Sequence, residues 1–353
     1  MRIVVVGAGR MGVIRAEDLA ADGRVDEIVI TNRNPERAAE LADRVGAEAA
    51  SAGSAGTPPH VNTAPWGEWP EADAYAVTTA TDTHAELIGT LAQRGKPLLV
   101  EKPLAMTLQE TDALIAMSTN APMQIGFQRR FDVGIRRIRE AIESGRLGVL
   151  YTMTLTAHDM TPGSADYIAG SGGTFRDMLV HDLDLARWLG DAEIASVYAT
   201  GTVRHHPDYA AADDHDVVAV HLTLESGVPV LISGTRHDPV GHDIRMEAFG
   251  SLDSISAGLD HRVPIRAAEA GVEPEILPAY LGGIDPDTVT PYFGFMDRFR
   301  AAFTAETSAF VDFVRGERAN PCPPESSRAA LAAAIACEVS AREGRVVHIS
   351  EVG

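Results

Sequence analysis

Short apolar runs alternate with alanine-rich helical stretches through the first third of the chain. Ile3–Val6, Glu27–Thr31, Ala74–Thr79 and Pro97–Val100 read as strands, and Met11–Ala21, Pro35–Val45 and His84–Gln93 as the helices between them. Strands that return by way of a helix run parallel, so this stretch predicts a βαβ series with helices on both faces of a parallel sheet. From about Tyr151 the pattern changes to alternating or β-branched runs: Tyr151–Thr156, Ile194–Thr202, Val217–Leu224, Val228–Ile232 and Ile244–Phe249. That alternation predicts a second, largely antiparallel sheet. Helices are predicted over Phe131–Glu143, Asp177–Leu189, Met296–Val314 and Ser326–Glu343, the last with Leu331, Ile335 and Val339 stacked on one apolar face. Ala49–Pro59, rich in Ala, Gly, Ser and Pro, reads as a loop inside the first domain.

A chain of 353 residues is long enough for two domains. The expected division is 1–122 and 123–353, with the closing helix 326–343 a candidate to pack back on the first. Thirty Lys plus Arg against fifty Asp plus Glu give a formal net charge of −20. That balance argues against nucleic acid or an anionic membrane surface as partner. No apolar run approaches the roughly 20 residues a bilayer span needs. Cys322 and Cys337 stand in no zinc spacing and are too few for a disulfide framework, which suits a reducing cytoplasm. The chain passes from Met1 directly into a strand, without the signature of a secretory leader, so cytoplasmic location is expected.

Gly7-Ala8-Gly9-Arg10-Met11-Gly12 follows the first strand and opens the first helix. In that context Gly7 permits the tight turn, Gly9 lets a pyrophosphate approach the backbone, and Gly12 lets helix and strand pack closely. The helix N-terminus meanwhile offers unpaired N–H groups to the anion. The end of the second strand selects the dinucleotide: a carboxylate there binds the ribose 2′-hydroxyl of NAD, an arginine the 2′-phosphate of NADP. Here it reads Thr31-Asn32-Arg33, while Asp26 and Glu27 lie at the opposite end of the strand. NAD(P), with NADP favoured, is the expected cofactor; the alternative is NAD held by Asn32 alone.

Glu101-Lys102-Pro103 ends a buried strand, which aims Lys102 at the ligand crevice of a parallel sheet, and the proline stiffens the turn. Asp177 and His181 are four apart on a predicted helix whose other positions, Met178, Leu179, Leu183, Leu185 and Leu189, are apolar. Titratable groups on so buried a helix suggest function: a histidine can take an alcohol proton and a neighbouring carboxylate can orient it or hold substrate. A mutually satisfied structural pair is the other reading. His205-His206-Pro207-Asp208 and Asp213-Asp214-His215-Asp216 could be drawn as a metal site, but a solvated loop explains them, and no metal is expected.

Taken in order, GAGRMG, Thr78-Thr-Ala-Thr-Asp-Thr-His84, EKP, Gly126-Phe-Gln-Arg-Arg-Phe-Asp132 and GGTFRDMLVHDLDLARWLG resemble the glucose–fructose oxidoreductase/inositol dehydrogenase/MocA family over nearly the whole chain, with inositol-type members nearest in pattern. The resemblance implies an α/β fold: an N-terminal Rossmann dinucleotide-binding domain, and a C-terminal α+β domain whose open, largely antiparallel sheet often builds a tetramer or dimer. It makes Lys102, Asp177 and His181 the catalytic set, with His181 transferring the proton. Arg130, His158 and His242 would meet the substrate. The expected cofactor contacts are Gly7, Gly9, Arg10, Met11, Gly12, Asn32, Arg33, Thr79, His84 and Glu101. Asn32 in place of the family's usual acid, Met160 in place of a polar residue and His242 in the family's Gly-Tyr-Asp place are departures. The activity implied is reversible oxidation of a secondary alcohol of a cyclic polyol or sugar to the ketone. Two rivals stand beside it: a non-catalytic nucleotide sensor, and a nonredox lyase or glycosidase with tightly held NAD.

Overall fold

Two sheets organise the computed structural model, which describes residues 1–51, 57–260, 262–263 and 290–353. The first has six parallel strands, β1 (Arg2–Val6), β2 (Glu27–Thr31), β3 (His60–Thr63), β4 (Ala74–Val77), β5 (Leu98–Val100) and β6 (Met123–Ile125), in the order β3-β2-β1-β4-β5-β6. Each pair is parallel because a helical or looped crossover returns the chain to the same end. β4, β5 and β6 are buried at every position, as strands covered on both faces must be. Ile3, Val5, Ile28 and Ile30 pack against Ala16 and Leu19 of helix Arg10–Ala21, and against Ala38 and Leu41 of helix Pro35–Ser51. Phe310 and Val311 of helix Arg300–Val314 belong to the same core. Each of these large side chains contributes about 1.5–3 kcal/mol on burial.

The compact units are Met1–Phe131 with Ala301–Leu331, and Asp132–Arg300 with Ala332–Gly353. The first therefore runs past the expected boundary at residue 122, because β6 is its sixth strand. It also takes in 301–331, through Phe310 and Val311. Of the closing helix, Pro324–Glu343, residues 324–331 fall in the first unit and the remainder in the second.

The second sheet has seven strands: β7 (Leu150–His158), β8 (Ile194–Thr202), β9 (Val217–Leu224), β10 (Pro229–Thr235), β11 (Asp243–Gly250), β12 (Ser254–Ala257) and β13 (Val347–His348). Their order is β12-β11-β7-β10-β9-β8-β13. Among the described strands of this sheet only β7 and β10 pair in parallel. β9 alternates as expected: Val218, Val220, Leu222 and Leu224 face the core, while Ala219 and His221 face out. Helix Val180–Gly190 packs on β7.

Two expected helices are broken. Phe295–Arg298 and Arg300–Val314 replace the single helix over Met296–Val314. The stretch Asp177–Leu189 divides into Thr174–Asp177 and Val180–Gly190. Between the latter pair the Leu179 N–H donates to the Thr174 carbonyl, five residues back, at 3.1 Å. The wider turn takes Asp177 and His181 out of the i, i+4 relation of one regular helix. Both cysteines are buried and unbridged. Among the described residues no helix is long and apolar enough to cross a membrane.

Candidate active site

The order of the first sheet reverses between β1 and β4, and in a parallel sheet the ligand crevice opens at the carboxyl ends of such strands. Gly7, directly after β1, has φ +112°, a left-handed conformation that a side chain would strain. A Cβ on Gly12 would lie 2.0 Å from the Gly7 carbonyl oxygen, so only glycine lets the helix sit this close to the strand. Above Gly9 there is open space: a Cβ there meets nothing within 4 Å. The Thr78 hydroxyl, directly after β4, closes the turn by donating to the Val6 and Gly7 carbonyls at 3.0 Å each. A tight, side-chain-free turn ahead of the exposed first residue of a 12-residue helix fits a dinucleotide pyrophosphate, with Arg10 and Met11 at the helix start.

At the end of β2 the Asn32 amide is already engaged. Its Oδ1 accepts the Ala8 N–H at 3.1 Å and its Nδ2 donates to the Asn34 carbonyl at 2.9 Å. Asn32 thus ties the glycine turn to the strand end. Arg33 is exposed, with its guanidinium 5.4 Å from the centre of the Trp66 ring. Among the described residues it makes no ion pair.

Three residues expected at the ligand lie in the interior of the first unit. Glu101 accepts two hydrogen bonds from Arg15, from Nε at 3.0 Å and Nη2 at 2.8 Å. It is thus the partner of a buried cation. His84 is fully buried; its Nδ1 faces the Leu104 carbonyl at 3.2 Å and its Nε2 the Thr79 carbonyl at 3.3 Å. Burial holds its pKa below the ordinary histidine value. His84 therefore braces the chain after Lys102 against the turn after β4. Arg130 is buried beside Phe127 and donates to the Pro321 carbonyl at 3.3 Å. Thr79 and Lys102 keep partly exposed positions; Thr79 accepts from the Thr83 hydroxyl at 2.7 Å, and Lys102 precedes a cis Pro103.

In the second unit, β7 and β10 end, and β9 and β11 begin, at one edge of the sheet, since Thr235 pairs with both His158 and Val217, and His158 with Asp243. One residue beyond each strand stands a polar side chain: Asp159, Arg236, Asp216 and His242. Arg236 forms ion pairs with Asp159 at 3.1 Å and with Asp177 at 2.9 Å, and its Nε donates to the Tyr209 hydroxyl at 3.2 Å. The Tyr167 hydroxyl donates to the same Asp177 oxygen at 2.8 Å. His242 Nδ1 lies 3.4 Å from Asp159, and His158 Nε2 3.0 Å from the Ser233 hydroxyl. Burial pushes the His158 pKa down, against the opposing pull of Asp243 and Asp238. Gly234 lets the helical segment descend onto β10, because a Cβ would lie 2.9 Å from Met178 and 3.1 Å from Leu179. His181, 8% exposed, stands on the first turn of helix Val180–Gly190. Asp177, His158 and His242 thus share one edge, with Arg236 as the hub that sequence reasoning missed.

Residues 1–127 match the oxidoreductase family with an NAD-binding Rossmann fold, and residues 135–256 match the GFO/IDH/MocA C-terminal domain. The chain belongs to the GFO/IDH/MocA family of oxidoreductases. A myo-inositol dehydrogenase of Streptomyces leeuwenhoekii is 34% identical over 98% of this chain and 99% of its own. The NAD(+)-named scyllo-inositol 2-dehydrogenase of Bacillus subtilis is 30% identical over 99% of this chain and 96% of its own. The crystal structure of a myo-inositol dehydrogenase from Corynebacterium glutamicum superposes with a TM-score of 0.83 at 30% identity, covering 99% of this chain and 98% of that one. The expected architecture, a Rossmann domain followed by an α+β domain with a mostly antiparallel sheet, is the one this family of oxidoreductases has.

Proposed function

We propose that the chain is an NAD(P)-dependent dehydrogenase acting on CH–OH donors, which reversibly oxidises one secondary hydroxyl of an inositol-like cyclic polyol or sugar to the ketone. The observation that carries the reading is Asp177, held by Arg236 and Tyr167 on the turn ahead of His181, in a chain that also carries a dinucleotide turn. A ring bearing several hydroxyls needs several donors and acceptors along one rim, and Asp177, Asp159, His158 and His242 supply them. In this reading His181 takes the hydroxyl proton, Asp177 orients the substrate, and the Lys102 ammonium stabilises the negative charge that develops on the oxygen. The bound dinucleotide supplies the acceptor for the hydrogen and its electron pair. The names of the inositol dehydrogenases among its relatives support this substrate class.

A panel of inositols, other cyclic polyols and sugars, assayed with NAD and NADP separately by the absorbance of the reduced nicotinamide, tests the proposal. Reduction of coenzyme by at least one cyclic polyol is expected. None across the panel would favour the sensor, and a dinucleotide that copurifies and never exchanges would favour the lyase or glycosidase.

The coenzyme choice is the finer part. No carboxylate ends β2, Asn32 is occupied within the turn, and Arg33 has no carboxylate partner among the described residues, so NADP is favoured. A charge-assisted hydrogen bond contributes about 1.5–3 kcal/mol. Arg33→Ala is therefore expected to raise KM for NADP by about tenfold or more while changing KM for NAD little. Equal losses with both coenzymes would return the assignment to NAD.

A further inference from the structure

At the same edge of the second sheet, beside β8 and β10, three imidazoles come together that the proposed reaction does not use. His205 and His206 follow β8 and precede the helix Pro207–Ala211, and His237 stands two residues beyond β10. The His205 and His237 rings are stacked, with centroids 5.4 Å apart and an interplanar angle of 11°. His206 meets both edge-on, at 4.5 Å and 4.8 Å. One ring nitrogen from each lies within 4.8 Å of the others.

The backbone that carries them is fixed by one buried carboxylate. Asp216, 2% exposed, accepts the N–H groups of Arg204 and His205 at 2.8 Å and of His206 at 2.9 Å. Its carbonyl accepts the Arg236 N–H at 2.8 Å, so both arms of the cluster hang on the same residue. The segment is largely exposed, as expected from its sequence, but it is anchored by this one buried acid and by Tyr209. His206 Nε2 is buried and has no hydrogen-bond partner among the described residues. A buried polar atom left unpaired is unfavourable, and a bound ion would satisfy it. His205 is exposed and leaves a way in from solvent.

Three imidazole nitrogens suit zinc, nickel, copper or cobalt, and not calcium or magnesium, which take oxygen ligands. In a tetrahedral zinc site, with bonds of about 2.0–2.1 Å, neighbouring nitrogens stand about 3.3 Å apart, so the rings must close on the ion and His205 and His237 must turn out of their stack to share it. We propose that His205, His206 and His237 bind one divalent transition-metal ion of the zinc type, water completing its coordination, and that the ion clamps the segment after β8 to the turn after β10. His237 adjoins Arg236, so the clamp braces the residue that holds Asp177 and Asp159.

The test uses the untagged full-length chain, stripped with a chelator and titrated with Co2+, then Zn2+. One equivalent of Co2+ is expected to give the intense visible bands of a low-coordinate imidazole site, Zn2+ to displace it, and Zn2+ to raise Tm. His205→Asn and His237→Asn are each expected to abolish the bands, and to weaken Zn2+ binding by more than the roughly 10–100-fold that loss of an outer hydrogen-bond partner costs. His221→Asn, on the outward face of β9, is expected to leave them unchanged. Circular dichroism and dinucleotide binding report whether each variant is folded, and the exposed His205 is the substitution least apt to disturb the core. Absence of the bands in the wild-type chain would overturn the site. So would their persistence in folded His205→Asn, since that would place the ion elsewhere, for instance at His158, Asp238 and Asp243.

Discussion

Turnover of a cyclic polyol by a His181→Ala variant is expected to fall about 10²–10⁴-fold, with dinucleotide affinity within about twofold of the wild type. The separation of the two effects follows from where the groups sit. Gly7, Gly9 and Gly12 form the dinucleotide turn in the first unit, whereas His181 lies on the first turn of helix Val180–Gly190 in the second. Removing the ring leaves that turn intact and takes away the group proposed to accept the hydroxyl proton. A positioned general base contributes a factor of this size because it is already at hydrogen-bonding distance when the charge develops. Stopped-flow measurement of coenzyme reduction, paired with fluorescence titration of the dinucleotide, separates the terms. A base also imposes an acid limb on the pH profile, and that limb is expected to disappear in the variant. Unchanged turnover, or loss of dinucleotide binding in step with turnover, would remove His181 from the reaction.

The glycine turn is legible in the sequence because its backbone geometry admits one residue type: the carbonyl of Gly7 leaves no room for a side chain at 12, and only glycine satisfies that contact. The β-branched strands are legible for a similar reason, their alternation being the direct record of one buried face. Short strands such as His60–Thr63 and Val347–His348 carry too few apolar positions to announce themselves. Arg236 was hidden because an arginine just past a strand reads as solvated. What reveals it is register, since four strand ends meet at one edge and each is followed by a polar residue. The only local hint was Gly234, a glycine in a strand interior, which marks the close approach of another segment. Glu101 and His84 carry a role that the sequence does not show. Both stand near strand ends where ligands gather, and each also holds an interior partner that the sequence does not pair with it: Arg15 for one, the Leu104 carbonyl for the other. Asp216 is the same case, a buried acid in a run of acids and histidines that looks like surface.

Replacement of Arg15 by methionine is expected to destabilise the first unit by about 3–5 kcal/mol at pH 8 and by distinctly less at pH 5. Arg15 is fully buried and donates to Glu101 at 2.8 Å, to Glu306 at 2.5 Å and to the Thr307 hydroxyl at 3.0 Å. Methionine matches much of its length but leaves two carboxylates without their cation, and an uncompensated buried charge is the costly way to break an ion pair. Glu101 is close enough to solvent to recover some hydration; Glu306, with no exposed surface, is not. Burial already pushes the Glu306 carboxyl from 4.5 up to about 7, against the downward pull of Arg15. The folded chain therefore binds more protons than the unfolded chain between those values. The sign follows: this group's contribution is most favourable below about pH 4.5 and declines as pH rises through 7. Without the guanidinium its carboxyl must stay protonated or be buried charged, so the loss deepens as pH rises. Urea unfolding followed by tryptophan fluorescence reads it, since Trp66 and Trp69 both lie in the first unit. Adding Glu306→Leu to Arg15→Met is expected to restore much of the loss, because an apolar replacement of a buried pair is often neutral. A loss that is the same at pH 5 and pH 8, or a double variant as unstable as the single one, would show that the carboxylate of Glu306 is not what Arg15 neutralises.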